Sequence, residues 1–221
     1  MRRIAIVVEG QTEEAFVSRV LQPYLGWDTT SIQPIVVHTQ HAASGRAHRG
    51  GGRWKHYDRI LRNLLAERHW TLITTLIDYY GYPTDAPRCD CGGGPQHPPR
   101  GCVRSRAAAM AAALPRDRRF LPFLALHEFE TLVVAAAGSV DQVLANVGLA
   151  NACKRMLAEY SGDAELVDDG PTTAPSKRLI AADSTYMKTR DGVAILEQVG
   201  LDTALSHCPG FAEWVRRLRV A

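Results

Sequence analysis

Lysine is scarce in this chain. Four lysines stand against 22 arginines. Guanidinium forks grip phosphate bidentately, so an arginine surface can follow a sugar-phosphate backbone. A genome favouring Arg and Ala codons explains the same bias, and the net charge of +3 does not by itself identify a nucleic-acid binder. Long apolar runs are also lacking. IAIVV and LVVAAA fall far short of the roughly 20 residues that a membrane span needs. The Met-Arg-Arg start leads into an apolar run too short for a signal peptide, so no membrane association and a cytoplasmic location are expected. Paired C-x-x-C is missing and the cysteines number five, an odd count that argues against a disulfide framework. There is no G-x-x-x-x-G-K-[ST] and hence no P-loop ATPase. Internal repeats are absent.

What is present is enough apolar residue, 46% of 221, to bury a sizeable core. Arg3–Val8 is a short β-branched run that suits a strand covered on both faces. Thr12 offers an N-cap, and Phe16, Val17, Val20, Leu21 and Leu25 recur with helical spacing up to position 25. Strands are expected over 32–38 and 71–77, with a helix over 54–68 between them. A Gly/His/Arg segment over 39–53 is too glycine-rich for a core element. Residues 79–103 read as a Gly/Pro/Cys loop or inserted knob. Then come a helix over 104–114, a strand over 120–126 despite Pro122, and a helix from Glu128 to Ala136. Amphipathic stretches at 140–147, 149–160, 176–183, 191–199 and 210–219 predict a helical remainder. Alternating strands and helices imply an α/β fold with a parallel sheet flanked by helices. The division expected is an α/β domain over 1–137, with its insertion at 79–103, and a helical region over 138–221 packed on it.

Three predicted strands finish on acids. IAIVV runs into Glu9, TLITTLI into Asp78, and FLPFLAL into His127, Glu128, Phe129 and Glu130. Neighbouring parallel strands lie roughly 4.8 Å apart, so these carboxylates can converge on a volume suited to a hydrated cation. Like charges so close need a positive partner, which Mg²⁺ or Mn²⁺ supplies. Glu13, four residues after Glu9, falls in the first turn of the following helix. It can face the same ion, or serve only the helix dipole, as Glu14 does. His127 is a candidate acid or base, or a structural hydrogen-bonder. In APSKR, Ser176 can cap a helix whose start presents Lys177 and Arg178 to a phosphate. Lys188 and Arg190 are further candidates of that kind.

The stretches VEGQTEEAF, LIDYYG, HEFE and DDGPTTAPSKR resemble a bacterial family whose fold is assigned to the TOPRIM-like (Rossmann-like) group, over nearly the whole chain. TOPRIM domains occur in topoisomerases, bacterial primases and overcoming-lysogenization-defect (OLD) type nucleases, including phage-defence effectors. The resemblance implies Mg²⁺-dependent phosphodiester chemistry on nucleic acid, with Glu9 as the glutamate after the first strand. Glu13 would be the second acid of the OLD-type pattern, and Asp78 the first Asp of an Asp-x-Asp pair. Position 80 is Tyr, so the second Asp is missing, and either Glu128 or Glu130 replaces it or a second metal site is lost. Two readings follow: a nuclease acting in phage or mobile-element defence through Glu9, Asp78, His127, Glu128 and Lys177, and an inactive metal- or phosphate-binding regulatory subunit beside a partner ATPase. A homodimer clamping nucleic acid fits the arginine content, and so does a monomer.

CDCGGGPQHPPRGC places Cys89, Cys91, His97 and Cys102 within one short loop. Three thiolates and an imidazole can close a tetrahedral Zn²⁺. Free cysteines in a loop are the other reading. Cys153 and Cys208 fall on predicted helices and are expected to be core thiols.

Overall fold

The computed structural model describes residues 1–37, 52–88, 99–167 and 173–220. Most of the 39–53 segment, and Cys89, Cys91 and His97 of the expected zinc set, lie outside these. The described chain is an α/β fold with a parallel sheet flanked by helices. Its strands are β1 (Arg2–Val8), β2 (Thr30–Val36), β3 (Leu72–Asp78) and two short pieces, β4 (Phe120–Leu121) and β5 (Leu124–Ala125). The order is β2-β1-β3-β4, with β5 also paired to β3, and every pairing is parallel.

After β1 the chain passes through α1 (Gln11–Phe16), a π-helical turn (Val17–Leu21) and α2 (Gln22–Leu25). The helix starts two residues earlier than expected. Gly10, not Thr12, is its N-cap, because the Glu13 side chain reaches back to accept from the Gly10 amide at 2.9 Å. From β2 the chain crosses back over β1 through α3 (Trp54–Ala66) to β3. A reversal of direction with right-handed crossovers puts the two connections on opposite faces, and the packing follows. Ile4, Ile6, Val8 and Leu76 cluster with Phe16, Val17 and Leu21. Ala5, Val7, Ile73 and Ile77 cluster with Tyr57 and Leu61 of α3 and with Met110 of α4 (Pro99–Ala112). Alternate strand residues therefore serve opposite cores, which is why β1 is apolar and buried from Ile4 to Val8.

The expected strand over 120–126 is broken. Pro122 has no amide to offer the ladder, so pairing lapses between β4 and β5. Two buried threonines of β3 repair the gap. Thr75 Oγ1 accepts from the Phe123 amide at 2.8 Å and donates to the Phe123 carbonyl at 2.7 Å. Thr74 Oγ1 donates to the Leu121 carbonyl at 2.5 Å and accepts from the Trp214 indole at 2.9 Å.

Next comes α5 (Glu130–Gly138), whose nine residues are all buried. From Leu132 onward the helix is apolar all round and must be enclosed, and it is: α6 (Val147–Glu159), α8 (Val193–Val199) and α9 (Leu201–Leu205) pack around it. The close approach to α6 needs Gly138, where a Cβ would lie 3.0 Å from the Cys153 carbonyl oxygen. The expected 140–147 helix does not form. Leu144 and Ala145 instead take left-handed backbone in a turn closed by the Val143–Asn146 bridge, and α6 starts at its Asn146 cap. α7 spans Pro175–Ala182 with Ala174 as N-cap, so Ser176 lies inside the helix and does not cap it. A π turn (Lys188–Gly192) precedes α8, and α9 was not anticipated. α10 (Pro209–Val220) closes the chain, with Phe211 and Trp214 in an aromatic cluster with Phe16, Phe123 and Phe129. Cys153 and Cys208 are buried free thiols, as expected. No helix among the described residues is long and apolar enough to cross a membrane.

Replacing Thr75 by Val, which keeps the shape and removes the hydroxyl, orphans both backbone groups of Phe123. The expected loss in urea unfolding is about 1–3 kcal/mol.

Candidate functional site

Glu9 follows β1 and Asp78 ends β3, the two central strands. In this strand order the connections leave β1 and β3 in opposite directions, which opens a crevice at their carboxyl ends. Elements from both faces of the sheet close on that crevice. From α3, the Tyr57 hydroxyl donates to Glu9. From the turn after β3, Gly81 lies so close that a Cβ there would stand 2.9 Å from Glu9 Oε2 and 3.0 Å from Oε1. From α1, Glu13 is buried, with one oxygen spent on the Gly10 amide.

The turn after β5 supplies the remaining acids. His127 is buried and takes left-handed backbone at φ 66°, a conformation uncommon for residues other than glycine. Its carbonyl accepts from the Tyr80 amide at 3.3 Å, and Ala125 O accepts from the Tyr79 amide at 2.8 Å. The turns after β3 and β5 are thereby tied together. Glu128 Oε2 accepts from the Ser176 amide in the first turn of α7 at 3.0 Å, so a carboxylate already occupies the helix start expected to meet a phosphate. Glu130, only 1% exposed, opens α5, where the helix dipole favours an anion.

Among the described residues, one cation meets these acids. Lys188 Nζ, on the π turn, lies 3.0 Å from Glu130 Oε1 and 4.0 Å from Glu128 Oε1. Its side chain is 41% exposed, against 2% for that of Glu130, so the ammonium enters from the solvent side. Arg190 does not join it, being paired with Asp191. Arg178 is paired with Glu159 at the end of α6, and Lys177 is exposed. Cys102 is a buried free thiol on α4.

The electrostatics follow from this crowding. Burial, then the neighbouring Glu13 charge, push Glu9 up to about 8, although Tyr57 and Lys188 pull the other way. Asp78 is raised well above the ordinary range by burial and then by Glu9, Glu13, Glu130 and Glu128. Glu13 and Glu130 are raised chiefly by burial, and Lys188 opposes the rise in both. Burial works against the Lys188 charge, but Glu130 and Glu128 outweigh it and hold its pKa up. The five expected acids therefore feel one another. Glu9 Oε1, Asp78 Oδ1 and Glu130 Oε2 are shielded from solvent and have no hydrogen-bond partner. Among the described residues, however, no three His, Cys, Asp or Glu side chains form a ready-made metal-holding group.

Sequence reasoning missed Tyr57, which has the spacing of a core residue, and Gly81, whose place in LIDYYG was the available signal. Tyr80, at the position of the expected second Asp, is 58% exposed.

Comparison with known proteins adds one match. A family model described as a domain of unknown function (DUF4276) covers residues 8–219. No curated protein and no solved structure matches the chain.

A carboxyl with a higher pKa in the folded than in the unfolded chain stabilises the fold at low pH, and that stabilisation is lost as pH rises through the folded value. Without divalent ions, melting temperature is therefore expected to fall as pH goes from about 4.5 to about 8. Glu9→Gln should flatten part of that slope.

Proposed function

We propose that this chain, which belongs to the DUF4276 family, binds Mg²⁺ or Mn²⁺ between the carboxyl ends of β1 and β3 and hydrolyses phosphodiester bonds of nucleic acid. The observation that carries the reading is the set of three shielded carboxylate oxygens without partners, Glu9 Oε1, Asp78 Oδ1 and Glu130 Oε2. An unpaired buried carboxylate oxygen is costly, and oxygen donors of this kind suit a hard divalent cation. The donors and the charge fit such an ion. The ligand shell is not preformed, because Glu13, Glu128 and Glu130 each give one oxygen to a protein donor.

In this reading Glu9 and Asp78 hold the ion, with Glu13 and Glu130 beside them. A bound divalent cation lowers the pKa of a water and screens charge developing on a phosphate. Tyr57 and Gly81 fix the Glu9 carboxylate from two sides. Glu128 anchors α7, whose exposed Lys177 is available to the substrate backbone. His127 is the imidazole nearest in sequence to these acids and the one assigned to proton transfer. The TOPRIM-like relationship belongs to the same proposal and is supported by the order β2-β1-β3-β4 with acids after β1 and β3. Tyr80 favours a second reading, a metal- or phosphate-binding module without cleavage acting beside a partner ATPase. Its exposed ring puts no carboxylate where the resemblance leads one to expect it.

Plasmid and single-stranded substrates incubated with Mg²⁺ or Mn²⁺ test the first reading. Wild type should cleave, and Glu9→Ala and Asp78→Asn should lose roughly 10²–10³-fold, the scale of removing one electrostatic stabiliser. Equal cleavage by all three preparations would mean a contaminant and end the nuclease reading. Cation-raised melting without cleavage would establish the binding module instead. Gly81→Ala removes no functional group, yet it should reduce the cation-induced rise in melting temperature, because its methyl displaces Glu9.

A further inference from the structure

Taking the carboxylates as a cation site, we infer that the Lys188 ammonium stands in for a second cation, so that the site accepts a single divalent ion at its Glu9–Asp78 end. Lys188 Nζ is 3.0 Å from Glu130 Oε1 and 4.0 Å from Glu128 Oε1. A metal ion bridging those two residues would need the same oxygens and the same space. The other Glu128 oxygen accepts from the Ser176 amide, which leaves Glu128 only the oxygen that faces the ammonium. Glu130 keeps only Oε2 unpartnered, and Tyr80 contributes no carboxylate.

The lysine is built in. It heads a π turn whose preceding amide, Met187 N, donates to Asp191 Oδ2 at 2.8 Å. Asp191 in turn pairs with Arg190, which closes the turn on itself and fixes where Lys188 starts. An ammonium neutralises carboxylates and donates hydrogen bonds, but it has no vacant orbital for a water or a phosphate oxygen. Lys188 can therefore relieve repulsion at the Glu130 end without adding a second Lewis acid.

Titration of the full chain with Mn²⁺, followed by calorimetry and by electron paramagnetic resonance, reads this directly and requires no catalysis. Wild type and Lys188→Arg should each bind one ion with an uncoupled signal. Lys188→Gln should bind a second ion with the spectrum of a coupled pair, and adding Glu130→Gln should return the count to one. A coupled pair in wild type, or a single ion in folded Lys188→Gln, overturns the assignment and leaves the cation site standing. No bound ion in wild type removes the cation site itself, and the assignment with it. Should Lys188→Gln lack native circular dichroism, wild type and Lys188→Arg decide: one uncoupled ion in both supports the inference, and two ions in either overturns it.

Discussion

Negative charge brought out of water governs this molecule. Five carboxylates from separate parts of the chain sense one another at the carboxyl ends of two central strands, and the surrounding structure supplies something positive or proton-donating to each end of that cluster. Glu13 takes the Gly10 amide, Glu128 the first turn of α7, Glu9 the Tyr57 hydroxyl, and Glu130 the Lys188 ammonium. None of these partners matches a full cation in strength except Lys188. The raised pKa values of Glu9, Asp78, Glu13 and Glu130 express the deficit that is left.

Topology makes the crowding possible. Because β2 and β3 flank β1 on opposite sides, α1 and α3 must cover opposite faces, and each contributes one side chain to the crevice between them. All nine residues of α5 are buried, and the one that is costly to bury is the acid at its first position, Glu130. The α5 N-terminal dipole and Lys188 together make Glu130 tolerable in that position. The interrupted edge shows the same economy. Pro122 breaks the ladder, and the Thr74 and Thr75 hydroxyls replace the lost bonds while one of them also receives the indole of α10.

Much of this was legible along the chain. β1, α3, β3 and most C-terminal helices followed from apolar period, and Glu9 and Asp78 announced themselves by interrupting apolar runs. The failures have physical causes. The 140–147 stretch has amphipathic spacing, but Leu144 and Ala145 are held in left-handed backbone by the turn that starts α6. Ser176 looked like a cap because Ser favours that role, yet Glu128 from a distant loop meets the amide there. Tyr57 looked like core and is core, with its hydroxyl turned to Glu9.

What the linear order of residues determined by itself was local: which segments are apolar on both faces, where Gly and Pro interrupt them, and that acids follow β1, β3 and β5. Those properties depend on neighbours a few residues apart. Tertiary structure alone decided that α7 would give an amide to Glu128, that Gly81 would press on Glu9, and that Lys188, more than a hundred residues after Asp78, would stand among the acids. Such pairings arise from the closing of long loops around a shared core, and no short-range pattern encodes the partner of a charge that distant in the chain.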